Sequence, residues 1–445
     1  MRKNKFVRIT RIAALTCVIA SLAGCNMVSQ QNESEQQETT QNGSNESALN
    51  NPPSSVWQEA ELINNESDTS EDSSEVRSTQ EVSEVEAEES SVIEIEESSV
   101  NELNEPDLIE ISEKCFLDDP LRAAVRESFD SNEDGFLSSE ERISAMYLDI
   151  SGEGPYGEPS ENGCKSLEGI EYFPNLIELR ASQNALKEVD LSNNNNLETL
   201  YITGNYLKEL DLSVCPSLIE VFCDYNQDLT SIKLNNPKIE TLDCSRCALE
   251  TLDLSSCVKL DYLRCVSNRL TELDLSRNSA IQYATVNGNN ITELDVSRNI
   301  NLKQLDIIQM PIESIDLSAN VNLTHLNCGW SDIKALDLSH NAKLTVLHLD
   351  HTQIEHIDLS ANHELNIFSC QSGYISELDF SNNPEMQYLH IQFLSLDKLD
   401  ISNCPKLIDV VEKGYKSENG DRQAWNGTDE IEGQVHIPLN CQLIY

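Results

Sequence analysis

The chain has 445 residues and a formal net charge of −47, from 77 acidic against 30 basic side chains, and only 5% of its residues are aromatic. Such acidity argues against a nucleic-acid partner, which requires basic side chains to displace counterions. It also means that part of the chain never buries a core, although the length leaves room for a large folded domain.

Residues Met1 to Arg11 carry Arg2, Lys3, Lys5, Arg8 and Arg11, and an apolar run from Ile12 to Ala23 follows. A bilayer span takes roughly 20 residues, so this shorter run reads as a secretory signal over residues 1–24. It ends in Leu22-Ala23-Gly24-Cys25, which resembles the lipobox of bacterial lipoproteins. The resemblance implies cleavage before Cys25, acylation of that cysteine, and a lipid anchor in the cell membrane with the rest of the chain on the extracellular face.

Residues 25–113 form the next segment. From Asn26 onward Ser, Glu, Gln and Asn dominate, and Arg77 is the only basic side chain before Lys114. Such a stretch cannot offset its ordering entropy by burying apolar surface. A self-repelling acidic tether is expected, spanning roughly 50 Å as a relaxed coil and about 300 Å when extended.

Asp118-Asp119-Pro120 opens a helix with Leu121, Ala124, Val125 and Phe129 on one face. DSNEDGFLSSEE follows. Asp130, Asn132 and Asp134 offer oxygens at loop positions one, three and five, and Gly135 permits a sharp turn. The Phe136 carbonyl and Ser138 supply positions seven and nine, and Glu141 closes the loop at twelve. Ser138 and Glu141 also form a capping box for a second helix, along which Ile143, Met146 and Tyr147 are apolar. The stretch resembles an EF-hand, which implies one bound calcium ion. EF-hands usually pair and dockerins carry two such loops. With one loop, residues 114–152 read as a cap stiffened by a structural ion, not a sensor.

From about Leu167 to Val410 the chain is periodic. The aspartates of the L-D-L-S tetrads fall at 253, 274, 295, 316, 337, 358, 379 and 400, each 21 after the last. Asp190 and Asp211 hold the same phase, and Lys233 marks a one-residue slip. Apolar residues two and three apart, interrupted by Asn and Gly, fit coils of short strands. One such unit cannot close a core, whereas stacked units can. The pattern resembles the leucine-rich repeat superfamily, and within it the bacterial 21-residue IRREKO class. That implies a mainly β fold: a solenoid of about eleven coils over residues 153–410, with two short parallel strands per coil. The alternating Val435, Ile437, Leu439 and Cys441 suggest a C-terminal cap over residues 411–445.

The phase also decides the meaning of Cys244-Ser245-Arg246-Cys247, a spacing that elsewhere holds zinc. Cys244 shares a column with Ala181, Ile202, Cys223, Cys265, Val286, Ile307, Cys328, Leu349, Cys370 and Ile391, so it is expected inside, as a small hydrophobe. Cys247 joins a column of asparagines at 184, 205, 226, 268 and 289, and Cys215, Cys257 and Cys404 join a second one at 278, 299, 320, 341, 362 and 383. There Cys replaces Asn as a weak donor. Cys115 and Cys164 are open to two readings, a disulfide or free thiols.

The L-D-L-S run hardly varies, which suits a structural side, yet its stacked aspartates repel by roughly 0.9 kcal/mol per neighbour even in bulk water. The other strand varies at its outward positions. Tyr262, Tyr283, His325 and Tyr388 share one column, His348 and His390 a second, and Trp330, His351 and Phe393 a third. This is the candidate ligand face, suited to an extracellular protein or glycan. The chain is expected to act as a monomer. No Gly-x-Ser-x-Gly elbow or His-Glu-x-x-His occurs, and the repeats leave no room for a catalytic domain, so no enzyme is expected. The competing readings are a passive envelope spacer and an extracellular hydrolase.

Overall fold

The structure is a computed structural model that describes residues 108–160, 162–391, 393–414, 435–437 and 441–444. The signal, Cys25 and most of the acidic segment lie outside the described residues.

The repeats build one parallel sheet of 13 strands. Eleven of them recur in phase, from Glu178–Arg180 to Tyr388–His390, each three residues long. Tyr147–Asp149 adds a strand at one end and Val435–His436 at the other. Register is strict: Leu263 pairs with Leu242 on one side and Ala284 on the other. Such alignment follows from a side-chain period of two, since a one-residue slip would turn every core side chain outward.

Two interior files run the length of the stack. The central residue of each repeat strand is fully buried, as is every member of the column from Ala181 through Cys223, Cys244, Cys265, Cys328 and Cys370 to Ile391. Among the described residues the second run of the coils pairs as strand only twice, Glu209–Asp211 with Ser231–Lys233 and Lys398–Asp400 with Gln442–Ile444. Elsewhere its neighbours are held by asparagine side chains instead of a backbone ladder. Asn320 Nδ2, for example, donates to the carbonyls of Val296 at 3.0 Å and Asn299 at 2.9 Å.

A chain reversal follows each sheet strand, and its geometry is conserved around the stack. Gln183, Gly204, Tyr225, Arg246, Ser267, Gly288, Gln309, Trp330, His351, Ser372 and Phe393 lie 21 apart and all hold φ between 53° and 65°. From Gln183 to His351 their N–H groups donate to the next coil, Tyr225 to the Ser245 carbonyl and Trp330 to the Asp350 carbonyl. The left-handed turn thereby keeps its backbone bonded.

The front is closed by helix α1 (Asp119–Phe129), the loop, helix α2 (Ser139–Ser144) and the strand Tyr147–Asp149. Phe116 packs against Tyr172 and Phe173, and Phe129 against Phe173 at 4.8 Å. Ile109–Glu110 pairs antiparallel with Phe136–Leu137, so this module reaches upstream of residue 114. Composition gave no hint of that strand. At the rear, helix α3 (Pro405–Gly414) follows the last coil, and Gln442–Ile444 covers Lys398–Asp400.

Candidate recognition face

The outward positions of the sheet are the first and third residues of each strand, and the left-handed residues form a ridge along one edge. Their environments differ. Tyr262, Tyr283, Tyr388 and His390 are partly exposed, and Phe393 is 71% exposed. Trp330 and His351 sit on the ridge, stacked at 3.7 Å between ring centroids. His325 and His348 are 4% exposed, together with buried Gln304, Asp306 and Asn327. The sequence columns are therefore real, but their central members are withdrawn from solvent.

Burial sets the charge state in that central patch. Desolvation pushes the Asp306 carboxyl up, partly opposed by His325, and lowers His325 in turn. His348 is pushed down to about 3 by burial and by His325 and His390, so it stays neutral and is not a pH sensor near neutrality. His325 Nε2 lies 3.5 Å from Asp306 Oδ1, and the two histidine rings are 5.8 Å apart. His348, Asp350 and His351 do not form a metal group. Asp350 turns to Ser369 Oγ and Gln371 N at 2.7 Å each.

The N-terminal half of the same face holds a feature that the sequence columns did not include. The Arg180 guanidinium lies 4.9 Å over Tyr201, which stacks on Phe222 at 4.8 Å with the rings 2° from parallel. Positions 180, 201 and 222 are 21 apart and in phase with His348, so extending the second column upstream would have found them. Residues 151–160 lie against the ridge here. Tyr156 Oη donates to Asp224 Oδ2 at 2.8 Å, and its ring meets Tyr225 edge-on at 5.5 Å. Asp224 is raised to about 6 by burial and by Asp243.

The aspartates of the second run are stabilised locally. Asp274 Oδ1 accepts the Ser276 N–H at 2.8 Å, and Asp295 Oδ1 accepts that of Ser297 at 2.8 Å. These bonds and the serine hydroxyls hold the carboxyls below the usual range, so the stripe stays ionised despite its mutual repulsion. With Glu272 and Glu293 it lines an open groove of about 850 Å³.

In the helix-loop-helix module, Asp130 Oδ1 and Oδ2 accept the N–H groups of Asp134 and Gly135, and Asp134 Oδ1 accepts that of Phe136. Asn132 accepts from Asp134 N and donates to Asp134 Oδ2. Glu141 takes bonds from both the N–H and the hydroxyl of Ser131 and of Ser138, so the capping box is formed. Burial raises its carboxyl but is outweighed by these four donors, which bring it to about 2. Among the described residues no three His, Cys, Asp or Glu side chains converge on a metal position.

The cysteines behave as the phase requires. Cys244 lies in the core file, and Cys247 Sγ donates to the Cys223 and Ser245 carbonyls at 3.5 Å. Cys115 and Cys164 are both free thiols.

Solved structures share this architecture. The functional domain of InlJ from Listeria monocytogenes, which includes a cysteine ladder, is 26% identical with a TM-score of 0.60, over 69% of this chain and 71% of that one. The chain folds as a leucine-rich repeat solenoid. An internalin, InlF, from Listeria monocytogenes is 20% identical with a TM-score of 0.51, over 67% of this chain and 95% of that one. A leucine-rich repeat protein from Leptospira interrogans is 16% identical with a TM-score of 0.50, over 60% and 78%; these two share the fold. No family model matches the chain and no curated protein matches it in sequence.

Proposed function

We propose that the protein is a surface-anchored bacterial lipoprotein whose repeat domain binds an extracellular protein or glycan without catalysing a reaction. The observation that carries this reading is the contrast between the two runs of each coil. The L-D-L-S run repeats one solution, serine-bonded aspartates over buried leucines, whereas the outward positions of the sheet change from coil to coil and include Tyr201, Phe222, Tyr262, Tyr283 and Tyr388. Side chains that vary on a fixed scaffold are what recognition requires, and aromatic anchors are enriched at interfaces. The likeness to InlJ supports the fold, while function rests on the site.

An array of extracellular proteins and glycans probed with the chain, with and without calcium, identifies the ligand. Alanine at Trp330, Tyr388 and Phe393 is expected to weaken that binding, at Tyr388 and Phe393 without lowering the melting temperature. Unchanged binding removes the ridge and its neighbours from the site. A probe of surface material that recovers no ligand favours the spacer reading, and turnover of a polysaccharide or peptide by the purified chain overturns the non-catalytic assignment. Cys25→Ala is expected to release the protein from the membrane fraction.

The loop suits calcium as a structural ion, by the chemistry of its donors. Asp130, Asn132, Asp134, the Phe136 carbonyl, Ser138 and Glu141 offer oxygen alone, the preference of a hard cation, and Asp130 and Glu141 are buried carboxylates. Glu141 would have to exchange its Ser131 bonds for the ion. Calcium titration by calorimetry, lost in Asp130→Ala, tests this; an unchanged heat with and without the substitution removes calcium from the loop.

A further inference from the structure

Exposure is uneven along the sheet. The strands Gln304–Asp306, His325–Asn327 and Val346–His348 are buried throughout, whereas the outward residues from Glu178 to Arg264 are partly exposed, apart from Asp243. In this accessible stretch the side chains form two walls. One is the Arg180, Tyr201 and Phe222 stack. The other begins at Tyr262, which packs on Tyr283 at 6.2 Å. Between them the strand Thr241–Asp243 contributes two short outward side chains. Phe222 lies in the column of Asp243 and Arg264, and Tyr262 in that of Glu220 and Thr241, so the two rings face each other diagonally, about 12 Å apart, and one long side chain can lie between them.

Charge decides which side chain fits. Both arginines at this step are already committed, Arg180 to Glu178 at 2.7 Å and Arg264 to Asp243 at 3.1 Å. Glu220, on the same strand as Phe222, has no cationic partner among the described residues. The groups acting on it are burial first and then two further carboxylates, Glu178 and Glu240, all raising its pKa. A half-buried carboxylate beside an aromatic face and lacking a counter-ion is complementary to an ammonium or guanidinium group.

We infer that the step between Phe222 and Tyr262 receives a lysine or arginine side chain of a protein partner, held by the Glu220 carboxylate and the Phe222 ring. The inference rests on the recognition reading and deepens it, by naming a basic protein as the partner and the N-terminal half of the face as its contact. The competing view is that Glu220 is a solvated carboxylate within a diffusely acidic molecule.

The test uses the full chain and a capped peptide of alternating glycine and lysine with three lysines, against its norleucine counterpart, by thermophoresis at physiological salt. The lysine peptide is expected to bind and the norleucine peptide to fail. Glu220→Gln and Phe222→Leu are each expected to weaken binding at least fivefold. Glu272→Gln, which removes the same charge from the exposed second run, is expected to leave it unchanged. Equal weakening by Glu220→Gln and Glu272→Gln, or no binding of the lysine peptide, overturns the inference. Continued capture of an extracellular ligand through Trp330, Tyr388 and Phe393 in that event shows that the site has failed and the recognition reading has not.

Discussion

Trp330 and His351 stack with ring centroids 3.7 Å apart while both hold left-handed backbone, φ 59° and 57°. An L-residue in that region costs about 1–2 kcal/mol, and nine of the eleven ridge positions are not glycine. The ridge therefore carries strain at nine of its eleven coils, offset where the side chain finds a partner. Ser267 and Ser372 are exposed ridge residues, so Ser267→Gly and Ser372→Gly are each expected to raise stability by about 0.5 kcal/mol, after the entropy that glycine adds to the unfolded chain. Trp330→Gly is expected to lower it by about 1 kcal/mol, because a stacked pair contributes about 0.5–1.5 kcal/mol beyond its burial. Urea denaturation measures all three. A gain on removing Trp330 as large as on removing the serines would mean that the stack contributes nothing.

The second asparagine column makes a graded prediction. Asn320 Nδ2 satisfies two carbonyls of the preceding coils, while its Oδ1 is buried without a partner. Only the donor end matters there. This explains why cysteine replaces asparagine at 215 and 404, where Sγ reaches the equivalent two carbonyls at 3.5 to 3.6 Å. Asn320→Ala is expected to cost about 2–4 kcal/mol by stranding both acceptors, and Asn320→Cys about half as much. Equal losses in denaturation would show that the sulfur is not a donor.

The solenoid and its interior files were legible in the sequence because a strict 21-residue phase fixes which side chains overlie one another. What that phase leaves open is what surrounds a side chain once it points outward. His325 and Tyr262 share a column, yet one is buried and the other is not. The left-handed ridge left no signature either, since glycine holds only positions 204 and 288 of it, and residue type is the usual sign of that conformation. The strand Ile109–Glu110 was hidden in an acidic composition. The Arg180, Tyr201 and Phe222 stack was visible in phase, upstream of the columns that drew attention to the C-terminal half.

Acid is expected to loosen the front cap through Glu141. Its carboxyl falls from 4.5 to about 2 in the folded chain, so the folded state holds fewer protons than the unfolded one between those values. The stability it contributes is fully present above about pH 4.5 and is lost as the pH falls toward 2. In calcium-free buffer, the stability gap between the parent chain and Glu141→Gln is expected to be greatest above pH 5 and to close toward pH 2.5. A gap that does not change with pH would mean that the Ser131 and Ser138 bonds do not discriminate ionised from neutral carboxyl.

The same cap depends on one glycine. Gly169 has φ 115°, and a Cβ there would lie 2.2 Å from the Phe116 ring. Gly169→Ala thus adds strain and displaces Phe116 from Tyr172 and Phe173, at a cost of about 2–4 kcal/mol. Hydrogen exchange is expected to accelerate across residues 116–129 and to stay slow in the central coils, because in a repeat stack each unit is stabilised by its neighbours. Acceleration throughout would instead mean that the cap and the coils unfold as one unit.

Thiol chemistry tests the assignment of Cys244 and Cys247 as filler. Burial raises Cys223 and Cys244 well above an ordinary thiol and pushes Cys247 and Cys265 up to about 12. At pH 8 a thiol with a pKa of about 12 is ionised in roughly one molecule in ten thousand, and the thiolate is the reactive form. With Cys25 and the partly exposed Cys115 replaced by serine, the folded chain is expected to resist a disulfide reagent at pH 8, and the buried thiols to react together once denaturant unfolds the coils. A zinc or redox site would behave differently: Cys244 and Cys247 would react ahead of the others in the folded chain, or would be protected by added zinc. Either outcome would place the pair outside the core file and the asparagine column, and would break the registry on which both sheet faces depend.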